Sequence, residues 1–528
     1  MSVYQWFIFF LLVQIVHFLG TWKLYESAGR KSWEAAIPVY NAIVLMKIIG
    51  RPTWWTILLF IPIINLIMFP VIWVETLRSF GKRSGLDTFL GLVTLGFYIY
   101  YVNYTQKLNY IADRSLSPEN KAADTVSSLL FAVIVATLVH TYLIQPYTIP
   151  TSSLEKSLLV GDFLFVSKMN YGARIPMTTV ALPMVHDSIP LLQKKSYLTW
   201  PQLPYLRLPG IQNINRTDIV VFNWPVDTVY RFFDTSKRRA FKPVDKKSNY
   251  VKRCVGIPGD NLSIIDGMIY IDGKLLELPE RAKPQFSYKV SLDGKTPIDF
   301  EHLLKEMDVT DPVLVTDETR RDTLFFSALT AAGAERLKNV PGITSVTRQI
   351  SRDVDQASNG KGVFPHINKW NSDNYGPIYV PEKGKTVALT TESLPFYKTI
   401  ITDYETNENG DKNDLKVTGN EIRLNGKVVK DYTFQQNYYW MMGDNRHNSE
   451  DSRYWGFVPE NHIVGKPIFI WLSWDTNGKG LNKIRWDRVF TTVSGEGQPQ
   501  SYLKYFLFAL AAFFIGEYFW KKRKETKN

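Results

Sequence analysis

The run Val126-Ser-Ser-Leu-Leu-Phe-Ala-Val-Ile-Val-Ala-Thr-Leu-Val-His-Thr-Tyr-Leu-Ile144 continues directly as Gln145-Pro146-Tyr147-Thr148-Ile149-Pro150-Thr151-Ser152-Ser153. A helix needs about 20 mostly apolar residues to cross the hydrocarbon core, and this uncharged run supplies them. Pro146 and Pro150 end such a helix where it would leave the lipid. Three hydroxyls, Thr151, Ser152 and Ser153, are therefore delivered at the membrane surface.

Working outward, further uncharged stretches at about 4–22, 53–74 and 88–105 are candidate membrane helices. Ala35–Met46 contains Pro38 and is too short to span, so an interfacial or re-entrant piece is expected. Tyr502–Trp520 is apolar apart from Lys504 and Glu517, and Lys521-Lys522-Arg523-Lys524 follows it. Basic loops favour the cytoplasm. This rule puts the tail, the loops with Lys23, Arg30, Lys31, Lys47 and Arg51, and the loop with Lys107, Arg114 and Lys121 on that side, and residues 147–501 outside. Arg78, Lys82 and Arg83 conflict with it. Either their loop is an exception or one of the neighbouring helices does not span.

A chain of 528 residues exceeds one ordinary domain. Its net charge of +12 comes without any zinc-finger, RNA-binding or helix-turn-helix pattern, so basic loops near anionic lipid are expected and nucleic acid is not. The basic run Lys237-Arg238-Arg239, with Lys242, Lys246 and Lys247, reads as a solvated loop. Cys254 is the only cysteine, which excludes an intramolecular disulfide, and the histidines lack metal-ligand spacing. The first charged side chain is Lys23, so 4–22 reads as a retained anchor and not a cleavable leader.

The middle of the chain reads mainly as β-structure, with strands at Phe163–Ser167, Asp218–Phe222, Tyr250–Val255, Thr386–Leu389 and Ile468–Leu472. Two similar hairpins, Leu262–Lys274 and Leu415–Lys427, suggest a recurring turn geometry. Residues 283–380 are mixed, with helical character at Phe300–Met307 and Thr330–Asn339, as a small α+β insertion would be.

Tyr250-Val251-Lys252-Arg253-Cys254-Val255-Gly256 offers a lysine on a strand. Serine and lysine together can make a nucleophile and its base without histidine, provided burial keeps the lysine neutral. On a strand, Tyr250, Lys252 and Cys254 share one face, and Val251, Arg253 and Val255 the other.

Three stretches resemble, in order, the type I signal peptidases (leader peptidases) of bacteria. Ile149–Asp162 is similar to the nucleophile box and Tyr250–Asp260 to the lysine box. The third match, Met442-Gly443-Asp444-Asn445-Arg446-His447-Asn448-Ser449-Glu450-Asp451-Ser452-Arg453-Tyr454-Trp455-Gly456-Phe457-Val458-Pro459, is long and specific. The resemblance covers roughly 125–275 and 415–475, and the early helices look like an extra module of longer members.

The resemblance implies a membrane-bound serine endopeptidase with Ser153 as nucleophile and Lys252 as base. By the same likeness, Thr151 and the Ser153 amide hold the oxyanion, Ser449 orients the lysine, and Asp451 and Arg453 buttress the site. It also implies membrane helices joined to a mainly antiparallel β catalytic domain with a small α+β insertion. The expected divisions are a membrane module at 1–125, a helix at 126–146, catalytic parts at 147–282 and 415–501 around an insertion at 283–414, a helix at 502–520 and a basic tail at 521–528. The substrates implied are exported preproteins with signal peptides, cut after small residues. The implied setting is the lipid bilayer of the bacterial inner membrane, multi-pass, with the catalytic domain on the periplasmic side and the secretion machinery as an associate. No metal or organic cofactor is implied.

Leu154 and Lys156 depart from the family's usual methionine and proline. Lys156 makes Ser153-Leu154-Glu155-Lys156 an S-x-x-K motif, and Ser372-Asp373-Asn374 adds the second element of penicillin-recognising enzymes, but no K-T-G follows. A catalytically inactive, membrane-anchored binding protein is the other alternative. Such a protein would be expected to have lost the serine or the lysine, and both are present.

Overall fold

The structure is a computed structural model that describes all residues except 118–120, 191, 193, 231–237, 308, 310, 316–321, 355–361, 368, 408–409, 476–477, 479 and 526–528. The chain forms two units. One is Met1–Leu143 with Ala173–Leu208 and Asp227–Ser248; the other is Ile144–Gly172, Pro209–Val226 and Asn249–Asn528. Two excursions from the 147–282 block thus belong to the first unit.

The first unit is helical: α1 (Val3–Ser27), α2 (Tyr40–Ile48), α3 (Trp55–Leu58), α4 (Ile64–Ser79), α5 (Gly85–Val93), α6 (Tyr98–Thr105) and α7 (Lys121–Leu138). Ser2 starts α1 with a capping box that includes Gln5, which satisfies otherwise orphaned amides. Phe7, Leu12 and Ile15 of α1 are exposed, as an apolar helix facing lipid requires.

Among the described residues, three helices are long and apolar enough to cross a membrane: Val3–Ser27, Lys121–Leu143 and Leu503–Lys524. The stretches at 53–74 and 88–105 are not single helices. Pro62 lacks an N–H to donate and Ile63 turns to φ 71°, which separates α3 from α4. Leu95, at φ 53°, and Gly96 separate α5 from α6, and the two helices bend by 118°. Glu75 of α4 gathers three arginines, with Arg114 at 2.5 Å, Arg51 at 2.9 Å and Arg78 at 3.8 Å.

In the excursions, Trp6 donates its indole N–H to the Gln202 carbonyl at 2.9 Å. Lys237 lies outside the described residues. Lys242 is not solvated: it is buried between Asp227, at 3.1 Å, and Asp187, at 3.3 Å. Four carbons of side chain let it reach inward, and the two carboxylates compensate its charge.

The second unit is built on an antiparallel sheet. β1 (Ile144–Thr148) pairs with β2 (Asp162–Ser167), which pairs with the long strand Ile463–Ser473. That strand leads to β3 (Ile219–Asn223), then β4 (Asn249–Gly256), Tyr438–Met442 and Val458–Pro459. Alternation along the strands feeds two cores. Val220, Phe222, Cys254 and Met441 enter one, while Ile219 and Val221 join Ile149, Leu154 and Leu164 in the other. In register, Lys252 of β4 lies opposite Val220 of β3.

The two hairpins share their turns, with Asp272 and Asn425 at φ 50° and 52°, each before a glycine, as tight two-residue turns require. The insertion builds its own sheet in the order Ile343–Arg348, Gln285–Leu292, Thr323–Thr330, Val313–Val315. Phe300–Glu306 and Ala331–Lys338 are its helices, and its core includes Val290, Phe326 and Leu337. The chain then returns to the main body, where Tyr375–Tyr379 pairs with Asn261–Ile265.

Candidate active site

Ser153 sits in a short 3-10 turn, Ser152–Leu154, that follows β1. The third box grips this turn. Asn445 donates its backbone N–H to the Ser153 carbonyl at 3.0 Å and its side-chain amide to the Ser152 carbonyl at 3.3 Å. Asn448 donates to the Ser152 hydroxyl at 3.1 Å. Gly443 makes the approach possible, because a Cβ there would lie 2.6 Å from the Ser153 carbonyl oxygen and 2.2 Å from the Ser449 hydroxyl.

Lys252 reaches Ser153 from β4, its Nζ 2.5 Å from Ser153 Oγ. The lysine is 3% exposed and its Nζ lies 5.6 Å from the centre of the Tyr250 ring. Burial drives its pKa down from 10.5 to about 8, against the opposing pull of the Asp451 and Glu450 carboxylates. A substantial fraction of the lysine is therefore neutral near physiological pH and able to take a proton.

Buried ion pairs fix the surroundings. Asp451 and Arg453 are joined by two bonds of 2.8 Å. Asp451 also accepts the Gly443 N–H at 3.0 Å, and Arg453 donates to the Arg446 carbonyl at 2.6 Å. Burial alone would raise the Asp451 pKa; Arg453 outweighs it and holds the carboxyl below its ordinary value. Next to Lys252 in sequence, Arg253 forks onto Asp444 at 2.8 and 2.6 Å, and Ser157 donates to Asp444 at 2.5 Å.

The structure thus brings Ser153, Lys252, Asp451 and Arg453 together. Thr151 is exposed and extended just before the turn, with φ −135° and ψ 153°. Ser449 is buried beside Gly443, but among the described residues its hydroxyl has no hydrogen-bond partner, and no bond joins it to Lys252. Lys156 stands at φ 69° beyond the turn, so no helix carries Ser153 and Lys156 on one face as S-x-x-K chemistry needs. Asp373 of the S-D-N triplet is engaged elsewhere, accepting from His447 Nε2 at 2.9 Å. His447 Nδ1 accepts the Ser287 amide at 3.0 Å, so both ring nitrogens serve structure.

Sequence reasoning gave no role to Asp444, Asn445, Asn448, Arg253 or Gln285. Asp444, Asn445 and Asn448 stand inside the third quoted stretch, which was the available signal. It also missed Asp311 of the insertion, whose carboxylate accepts from Asn445 at 2.9 Å and from Asn448 at 3.5 Å. Among the described residues, no group of three or more His, Cys, Asp or Glu is placed to hold a metal ion.

Residues 122–323 and 380–474 match the family described as "Signal peptidase, peptidase S26". The chain belongs to the peptidase S26 signal peptidases. The gap in this S26 match, 324–379, falls in the insertion. Residues 33–113, ahead of the peptidase region, match a "Family of unknown function (DUF5684)". Relatives of this S26 chain include the signal peptidase I of Haemophilus influenzae, 25% identical over 72% of this chain and 78% of that protein. The signal peptidase I of Buchnera aphidicola subsp. Baizongia pistaciae is 22% identical over 70% of this chain and 83% of its own length. That of Rickettsia massiliae is 30% identical over 32% of this chain and 50% of its own.

Proposed function

We propose that this peptidase cleaves amino-terminal signal sequences from exported preproteins with a Ser153–Lys252 dyad. The observation that carries the proposal is the buried Lys252 Nζ, 2.5 Å from Ser153 Oγ, with its pKa lowered to about 8. Neutral Lys252 takes the hydroxyl proton as Ser153 Oγ attacks the scissile carbonyl carbon. The Thr151 hydroxyl and the Ser153 backbone amide stabilise the oxyanion. Protonated Lys252 then gives its proton to the leaving amine, and water repeats the sequence on the acyl-enzyme. Ser449, buried next to the turn, limits the positions Lys252 can take, and the Asp451–Arg453 pair holds Gly443 and hence the turn in place. Small residues at the first and third positions before the cut fit the family resemblance.

The setting proposed is the inner membrane of a bacterium, with the catalytic unit on the periplasmic side and the secretion machinery as an associate. The Glu75 cluster supports this orientation. It joins Arg78 to Arg51 and Arg114, which argues for all three on one side. α4 is not among the helices long enough to span, and we read α5–α6, bent by 118°, as a re-entrant pair; on that reading Arg78 obeys the basic-loop rule.

The test is cleavage of an exported preprotein by the full chain in membranes, as wild type, Ser153→Ala, Lys252→Ala and Lys156→Ala. Loss of cleavage in the first two variants with retention in the third is expected. Retention in Lys252→Ala with loss in Lys156→Ala would transfer the base role to Lys156.

A further inference from the structure

Peptide cleavage does not use a cavity that lies within the helical unit. Its volume is about 530 Å³, within the range of sites that enclose small molecules. It follows α1 from Trp6 to Thr21, fifteen residues and hence about 22 Å of helix. Its walls are largely apolar, with Phe10, Phe60, Phe69, Trp73 and Tyr100 among them, and Thr179 and Leu203 also contribute. None of the lining residues is Asp, Glu, Lys or Arg.

A few polar groups interrupt the apolar walls. Asn41 donates to Gln14 at 2.8 Å and Thr21 to the His17 carbonyl at 2.7 Å, so these are provided for within the protein. Asn65 is different: its side-chain oxygen is buried and, among the described residues, lacks a hydrogen-bond partner. Asn65 lines the cavity, and a turn of its amide about χ2 would present this oxygen to a donor from outside the chain.

We propose that this cavity binds a neutral long-chain amphiphile, an alkyl chain ending in a hydroxyl or similar donor that hydrogen-bonds to Asn65 Oδ1. The uncharged lining disfavours a phosphate or carboxylate inside, because an ion there would be buried unpaired. The length along α1 matches an extended fatty chain. A signal-sequence helix fits less well. The Tyr100 ring comes within 2.4 Å of where a Gly20 Cβ would stand, so α1 and α6 touch along this wall. A helix 10–12 Å across would have to part that contact to enter; an alkyl chain would not. The inference does not depend on which residue cleaves the peptide.

The test is photolabelling of the full chain, in phosphatidylcholine nanodiscs, with a diazirine-bearing fatty alcohol. Saturable labelling at the lining positions Phe10, Val13 and His17 of α1 is expected, competed by unlabelled fatty alcohol. Ala42→Trp, which fills the cavity, is expected to reduce it at least fivefold, and Asn65→Leu to weaken half-saturation about tenfold, a loss of one donor–acceptor contact. Thermal melting checks that each variant is folded, and Val13→Phe replaces Ala42→Trp if the latter is not. Non-saturable labelling, labelling centred on the exposed Leu12 and Ile15, or labelling indifferent to the filling variants overturns the proposal. Displacement by a signal-sequence peptide but not by fatty alcohol also overturns it and assigns the cavity to the substrate.

Discussion

The proposed Ser153–Lys252 dyad, with the pKa of Lys252 lowered to about 8, predicts how cleavage depends on pH. At pH 7, an ordinary lysine of pKa 10.5 is neutral in about one molecule in 3,000. With a pKa of about 8, Lys252 is neutral in about one molecule in eleven, a roughly 300-fold larger pool of base. Since only the neutral form can take the Ser153 proton, kcat/KM should rise about tenfold between pH 7 and 9 and level off above. Below pH 7 it should fall by about tenfold per unit. The assay is preprotein cleavage by the full chain in detergent, at substrate concentrations below KM, from pH 6 to 10. A substrate lacking histidine and cysteine keeps other titrations out of this window. A profile flat from pH 6 to 9, or a single limb near pH 6.5, would refute a buried-lysine base; the second result would point to a histidine.

Other outcomes follow from the same geometry. Lys252→Met removes the cost of burying this lysine's charge. Between about pH 8 and 10.5 the unfolded chain binds a proton that the folded one does not, so that cost applies in full below pH 8, falls through this window and is gone above 10.5. The gain is about 3 kcal/mol at pH 7 and about half that at pH 9.5, less about 1 for the lost Ser153 contact; melting at the two pH values should show it, and an equal shift at both would contradict it. Arg453→Met leaves Asp451 charged and buried, so a loss of about 3–5 kcal/mol is expected in denaturant unfolding, and a change below 1 would reduce the pair to decoration. Asp311→Ala frees Asn445 and Asn448, and kcat should drop about three- to tenfold with KM and melting temperature little changed. Asp311→Asn keeps an acceptor and should restore most of the rate; equal loss in both variants would mean that charge, not positioning, matters.

The sequence made the Ser153 and Lys252 neighbourhoods readable because each lies in a short contiguous motif, and strand parity correctly grouped Tyr250 with Cys254. Hydropathy did not show that 53–74 and 88–105 are each broken into two helices, because it registers apolar length but not direction. The breaks fall at Pro62-Ile63 and Leu95-Gly96, where backbone dihedrals override composition. Arg253 carried only a strand-face assignment, since its partner Asp444 is 191 residues away. Asp311, 134 residues from Asn445, had no local pattern at all.

The stem of the insertion has a bearing on how such chains can change length. Gln285 donates its amide to the Asp444 carbonyl at 2.8 Å, accepts from the Arg446 amide at 3.0 Å, and sends its side chain to the Glu155 carbonyl at 2.8 Å. Lys283 gives its amide to Ser157 at 3.2 Å. Residues 283–287 therefore act as a union between the peptidase body and the sheet of the insertion. Growth or trimming is tolerable past that union, where loop closure is cheap, while a cut flush with the peptidase body would unpick the backing of its third box. A shortened relative that keeps the catalytic boxes should still carry a short strand here, whatever hangs beyond it.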